Sequence, residues 1–335
     1  MRYVIIGAGA VGGTVGGRLA EAGHEVVLVA RGAHAAALRG GGLRLRTPEG
    51  PRTLRLPVVE QPAELGELLP DDVLFLAVKT QDGAAALDAW GGRPVTGGGT
   101  AAERLPLVCA QNGVESERIA LRRFRHVYGV CVWLPASHAE PGEVSAAGAP
   151  YSGMLHIGRY PTGTDETARR IAADLEKSRI LAPVVADVLR WKYAKLLANL
   201  ANSVEAVTGP ITGDEAGELY ARARAEGEAA LTAAGIVWVG DEEQRETRGD
   251  RIRLEPLDGS PRGGGSSWQS LDRGTGSIEA DYLNGEIALL GRLHGVPTPV
   301  NDALQRVANT FARERRPAGS MTVAELTREI DGEGA

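Results

Sequence analysis

Cysteine is nearly absent: Cys109 and Cys131 are the only two in 335 residues. Both lie in apolar stretches, LPLVCAQNG and YGVCVWLP, and read as small core residues carrying reduced thiols. No CxxC pair and no Cys/His cluster occurs, so no metal site is expected. A basic block is also missing. With 37 Lys and Arg against 43 Asp and Glu, the formal net charge is −6. That gives no support to nucleic-acid or anionic-membrane binding. No apolar run is long enough to span a bilayer. The chain opens directly on a strand-like MRYVIIG, so the expectation is a cytoplasmic protein without a leader.

What remains is ordinary for a globular protein: 43% hydrophobic and 24% charged residues. The length favours two domains. Strands and helices alternate up to about residue 186, and helical patterns dominate afterwards. The expectation is an α/β N-terminal domain over 1–186 and an all-α C-terminal domain over 187–335.

The first 30 residues carry the strongest signal. Tyr3 to Ile6 is a short apolar strand running into Gly7-Ala8-Gly9-Ala10-Val11-Gly12, then a helical pattern from Val11 to Ala22, then a second strand from Glu25 to Ala30. This context turns a GxGxxG into a dinucleotide-binding fingerprint. Gly7 permits the tight turn, Gly9 lets the backbone approach a pyrophosphate, and Gly12 allows close packing of helix on strand. The amides of the helix N-terminus face the phosphates. The fold this predicts is a Rossmann domain, doubly wound on a mostly parallel sheet.

The second strand ends Val29-Ala30-Arg31. A carboxylate for the ribose 2′-hydroxyl is missing and a guanidinium stands there, which points to a 2′-phosphate and hence NADPH/NADP+. Two further strands end in polar groups at the edge where such sheets bind ligands. One gives Lys79, able to add charge near the phosphates. The other gives Asn112, placed for cofactor or substrate and equally at home as a turn residue before Gly113. Leu43–Arg46 and Thr53–Leu56 read as a hairpin decorating the sheet. Residues 143–157 read as one strand.

Downstream, WKYAKLLANLAN (191–202) reads as a helix. Lys195, Asn199 and Asn202 fall at i, i+4 and i+7 on one face. One ammonium among carboxamides can bind and protonate a polar substrate, although a lone lysine is more often solvated. Ser266 and Ser267 follow glycines and read as helix-capping hydroxyls. Glu279 and Asp281 sit early in a helix expected over 278–294. The segment 240–265, polar and rich in Gly and Pro, reads as a loop or lid.

Together these features resemble the ketopantoate reductase family, the 2-dehydropantoate 2-reductases of the ApbA/PanE type. The matching pieces are VIIGAGAVGG, Arg31, the VKT at Lys79, QNGVES at Asn112, WKYAKLLAN, SSWQSLDRGTGSIEADYLNGEI and GVPTPVN. The resemblance implies a Rossmann domain, a helical domain resembling that of 6-phosphogluconate dehydrogenase, a substrate cleft between them, and NADPH. It further implies Lys195 as general acid and Glu279 as the group orienting substrate and lysine. Ser267 would bind the substrate carboxylate, Asn199 the substrate hydroxyl, and Asn112 the substrate or the nicotinamide end. Arg31 and Lys79 would hold the 2′-phosphate.

Two departures bear on the substrate. Many members place an asparagine eight residues after the lysine; here that position is Ser203, with Asn202 one place earlier, so Asn202 and Ser203 both become candidate substrate contacts. The usual proline that follows is Val204, and Glu205 is an added charge. Three readings result: reduction of a 2-keto acid, 2-dehydropantoate above all; reduction of another carbonyl or imine in secondary metabolism; and a non-catalytic NADP(H) sensor. The sequence leaves the oligomeric state open, a homodimer among the alternatives.

Overall fold

A computed structural model describes residues 1–138, 140–257 and 264–332. The chain forms two compact units, Met1–Lys192 with Gly240–Pro261, and Tyr193–Val239 with Arg262–Ala335. The division falls inside a helix, somewhat beyond residue 186, and the first unit reclaims a segment from the C-terminal half.

The first unit opens with β1 (Arg2–Ile6), α1 (Ala10–Glu21), β2 (Glu25–Val29) and α2 (Gly32–Gly41). Then come β3 (Leu43–Thr47), β4 (Gly50–Leu54), β5 (Val58–Val59), β6 (Asp72–Leu76), α3 (Thr80–Gly91), α4 (Ala101–Arg104) and β7 (Pro106–Cys109). It continues through α5 (Ser116–Leu121), β8 (His126–Trp133), β9 (Ala136–Ser137), β10 (Glu143–Ala146), β11 (Gly148–Pro150), β12 (Gly153–Arg159), α6 (Glu166–Lys177) and β13 (Ile180–Leu181).

The main sheet has the order β13-β12-β8-β7-β6-β1-β2-β5. Every pairing in it is parallel except β12 with β8. The chain winds outward from β1 to β2 and β5, then returns to β6 on the other side of β1. This reversal is the switch point at which such sheets bind dinucleotides. β6 is buried along its whole length, as a strand covered on both faces must be. Val15, Leu19, Ile171 and Leu175 of α1 and α6 fill one face. Leu87, Trp90, Ala120 and Phe124 fill the other. The doubly wound, mostly parallel fold is as the sequence predicts.

Three local expectations are corrected. The hairpin β3–β4 does not decorate the main sheet; β3 pairs with β10 in a separate sheet of order β4-β3-β10-β9. Its inward residues Leu43 and Leu45 bury against α1, where Gly17 leaves room for them. Residues 143–157 form three strands in three sheets rather than one. The chain doubles back so tightly at Gly148 that a Cβ there would lie 2.5 Å from the Ser152 carbonyl oxygen. The 240–265 segment is not a bare loop. It carries α10 (Asp241–Arg248, numbered in chain order with the helices below) and β14 (Ile252–Leu254), which pairs antiparallel with β11. α10 has acidic residues in its first turn, basic ones in its last, and no buried residue. Charge complementarity to the helix dipole, not an apolar stripe, supports it. Residues 258–263 of that segment lie outside the described residues.

The second unit is helical among its described residues. α7 (Val188–Asn199) enters it, followed by α8 (Ala201–Thr208), α9 (Asp214–Ala233), α11 (Ser266–Asp272), α12 (Asn284–His294), α13 (Pro299–Glu314) and α14 (Val323–Asp331). α9 approaches closely at Gly227, where a Cβ would lie 2.7 Å from Leu197 Cδ2. The helix expected over 278–294 is interrupted. Glu279–Tyr282 is a 3-10 turn, and Leu283 breaks it at φ −116°, ψ −91° before α12 begins. At the break the fully buried Asn284 donates to the Asn301 side-chain oxygen at 3.0 Å and accepts from Ser203 at 2.6 Å. Those bonds hold the chain at an angle that a continuous helix does not allow.

No helix among the described residues is long and apolar enough to cross a membrane.

Candidate active site

The glycine turn sits at the carboxyl end of β1. Gly7 has φ +102°, and a Cβ there would lie 2.7 Å from the Val78 amide nitrogen. Only glycine meets both demands. At Gly12 a Cβ would collide with the Gly7 carbonyl oxygen and lie 2.9 Å from Ile5 Cγ2. At Gly9, by contrast, nothing lies within 4 Å. The backbone there faces open space at the N-terminus of the twelve-residue α1, with Ala8, Ala10 and Val11 flanking it. That is the cradle a pyrophosphate needs.

Arg31 is the N-cap residue of α2, at the end of β2. Its side chain is exposed and makes no hydrogen bond or ion pair with the described residues. Lys79, half-buried, is the N-cap residue of α3 beyond β6. Asn112, half-buried, follows β7, and its carbonyl accepts from the Thr80 hydroxyl at 3.4 Å. All four strand-end positions named from sequence therefore gather at one edge of the first unit. The residues present suit a dinucleotide.

Two residues at this edge went unread in the sequence. Glu60, brought beside β2 by β5, accepts from the Gly32 amide at 3.3 Å and is paired with Arg39 at 2.8 Å. His34 joins two segments: Nε2 donates to the Ala8 carbonyl at 2.8 Å, and Nδ1 accepts from the Gly142 amide at 2.9 Å. Burial lowers its pKa; the Ala8 bond opposes this and neighbouring His138 adds to it. Neither contact has a local sequence signal.

A buried ion pair was also missed. Lys192 is 2% exposed and binds Glu117, which is fully buried, and Lys192 Nζ also donates to the Gln111 carbonyl at 3.2 Å. Burial raises the Glu117 pKa, and the Lys192 charge offsets this in part. The pair thus braces the turn that carries Asn112. The Gln111 carboxamide itself is buried with neither polar atom partnered.

In the second unit, Lys195 lies half-buried on α7 and Glu279 is 4% exposed in the 3-10 turn. Asn199, four residues after Lys195, is buried, and its Nδ2 donor has no partner. Asn202 opens α8 and donates to the Ser266 hydroxyl at 3.4 Å. Ser267, next to it, is 2% exposed. Ser203 is 1% exposed and gives its proton to Asn284, which leaves no hydroxyl donor for a ligand.

The serine hydroxyls do not cap α11. Its N-cap residue is Gly265, without a side-chain cap, and the Gly265 amide donates to Glu205 Oε2 at 2.8 Å. The competing carboxylate arrives from α8, sixty residues earlier in the chain, which is why the local pattern misleads.

A glycine turn over the switch point of a β5-β2-β1-β6-β7-β8 sheet, with a helical unit after it, defines a dinucleotide-binding protein of the Rossmann class. The family model for ketopantoate reductase PanE/ApbA matches residues 3–162, and its C-terminal counterpart matches residues 187–312. The chain belongs to this family of NAD(P)-dependent oxidoreductases. A 2-dehydropantoate 2-reductase of Mesorhizobium japonicum is 29% identical, covering 94% of this chain and 99% of the relative. The PanE/ApbA family ketopantoate reductase from Ralstonia eutropha JMP134 superposes with TM-score 0.77 at 26% identity, over 94% of this chain and 100% of that one. D-mandelate dehydrogenase, solved with NADH and anilino(oxo)acetate, shares the fold at TM-score 0.76 and 21% identity, over 95% of this chain and 100% of that one.

Proposed function

We propose that the protein reduces a carbonyl compound with NADPH, using Lys195 as proton donor. The observation that carries this reading is the buried, unpartnered Nδ2 of Asn199, one turn from Lys195. A buried donor without an acceptor costs about 1–3 kcal/mol, and a substrate oxygen removes that cost. NADPH, when bound, supplies the hydride. Gly7 to Gly12 hold its pyrophosphate, Arg31 and Lys79 its 2′-phosphate, and Asn112 its nicotinamide end or the substrate.

Asn199 fixes the substrate oxygen by donating to it. As negative charge develops there, the Lys195 ammonium stabilises it and gives up its proton. Glu279 supplies the anion that orients Lys195 and the substrate. Ser267, with Asn202, lies at the other end of the substrate. Among the described residues no group of three His, Cys, Asp or Glu is arranged to hold a metal ion.

Kinship makes 2-dehydropantoate, reduced to (R)-pantoate for pantothenate and coenzyme A synthesis in the cytoplasm, the first substrate to test. The second reading keeps fold, cofactor and acid but takes another carbonyl or imine. The placement of Glu205 favours it. NADPH oxidation with 2-dehydropantoate and a panel of keto acids, amides and imines separates the two. Turnover of no member would refute the reductase reading. For the cofactor, Arg31→Ala should weaken NADPH about 10-fold or more and leave NADH nearly unchanged. Equal weakening of both would remove the 2′-phosphate role.

A further inference from the structure

Glu205 is a residue of the second unit whose chemistry the proposed reaction does not use. Its carboxylate is half-buried and pressed against backbone. Oε2 accepts from the Gly265 amide at 2.8 Å. A Cβ at Gly265 would lie 2.6 Å from that oxygen and 3.4 Å from Asn202 Oδ1; one at Gly264 would lie 3.1 Å from Glu205 Oε1. Asn202 and Glu205 therefore converge on Gly265, and Asn202 donates onward to Ser266. Gly265 is what lets a carboxylate come this close to the chain.

We infer that Glu205 sets the substrate class by excluding a free carboxylate from the end of the site lined by Asn202 and Ser267. This rests on the reductase reading above, which puts the substrate against Asn199, Asn202 and Ser267. A second carboxylate brought beside the first meets like charge at close range in a half-buried place, which is a strong rejecting element. Glu205 also retains acceptor capacity. A carboxylate offers about four lone-pair sites, and the Gly265 amide takes one. The group that suits it is a hydrogen-bond donor. The substrate class is accordingly a carbonyl compound whose adjacent group is neutral and donating, an amide N–H, or is cationic, an ammonium. Asn199, with its free donor, takes the carbonyl oxygen, and Glu205 takes the donor at the other end.

The test compares two nearly isosteric ligands that differ in charge, 2-oxoisovalerate and its primary amide, with the NADP+-loaded protein in a calorimeter. The wild type should bind the amide about 10-fold or more tighter than the acid. Glu205→Gln keeps an acceptor for the Gly265 amide and removes the charge. It should tighten the acid about 10-fold while changing the amide less than about 3-fold, which shifts the ratio by charge alone. A wild type that binds the acid as well as the amide overturns the inference, whether or not the variant folds. So does an unchanged ratio in Glu205→Gln, and so does binding of neither ligand. Failure of the reductase reading looks different: the preference for the amide persists, yet NADPH is not oxidised by any carbonyl compound.

Discussion

The glycine turn of the first unit and the α8–α11 contact of the second are both built around close approach to backbone, but different partners make that approach. At Gly7 and Gly12 chain meets chain, and the requirement is geometric: any side chain collides. At Gly265 a carboxylate meets chain, and the requirement is chemical: the glycine matters because Glu205 is there. The first kind of site tolerates little variation and, in the function proposed above, receives a ligand part, the pyrophosphate, that does not vary. The second changes its selectivity with one side chain. A shared fold with a shifting substrate is what this division of labour produces.

The comparison can be strained from both sides. The largest effect should come from the side-chain network behind α8. Asn301 is fully buried; its Nδ2 donates to the Ala223 carbonyl at 2.9 Å and to Glu226 at 2.8 Å, and its oxygen accepts from Asn284. Asn301→Ala strands several buried groups and should cost about 3–4 kcal/mol in urea unfolding. A loss below about 1 kcal/mol would show that the network is dispensable.

Gly12→Ala should follow closely, at about 3 kcal/mol, because backbone cannot yield as a side chain does. Gly9→Ala provides the contrast. With nothing within 4 Å, its stability should change by less than about 1 kcal/mol. Its NADPH affinity should nevertheless fall about 10-fold or more, since the new methyl occupies the cradle. An intact affinity would place the pyrophosphate elsewhere.

The smallest effect is a pH dependence at the same turn. His34 must be neutral to accept from Gly142 while donating to Ala8, and its pKa is lowered. In the unfolded chain it titrates near its ordinary value of about 6.5. Its contribution to stability is therefore complete above that value and is lost as pH falls toward the lower folded pKa. Thermal melts between pH 7 and 5 should decline less steeply for His34→Gln than for the parent. An identical slope would remove His34 from the account.

How much of this was legible in the sequence follows from the same distinction. The glycine turn could be read because a backbone constraint writes itself locally, as glycine at fixed spacing between a strand and a helix. Arg31, Lys79 and Asn112 were legible as strand ends. α10 was not, because its residues bury nothing and leave no apolar period, and β14 pairs with a strand about a hundred residues away. Ser266 and Ser267 carry a proper capping pattern, yet Glu205 takes the amide at Gly265 instead. Lys192 looks like any helical lysine beside Trp191; only the distant Glu117 makes it a buried ion pair. Contacts made across long sequence separations escaped the reading, and they are the ones that tune the site.

The central claim is that Lys195 supplies the proton in an NADPH-dependent reduction. The most direct measurement is Lys195→Ala, with NADPH affinity read by fluorescence titration and hydride transfer by single-turnover oxidation on the best substrate of the panel. The predicted result is an NADPH Kd within about 2-fold of the parent and a hydride-transfer rate lower by about 10²–10⁴-fold. A variant that reduces the substrate at the parental rate would contradict the account.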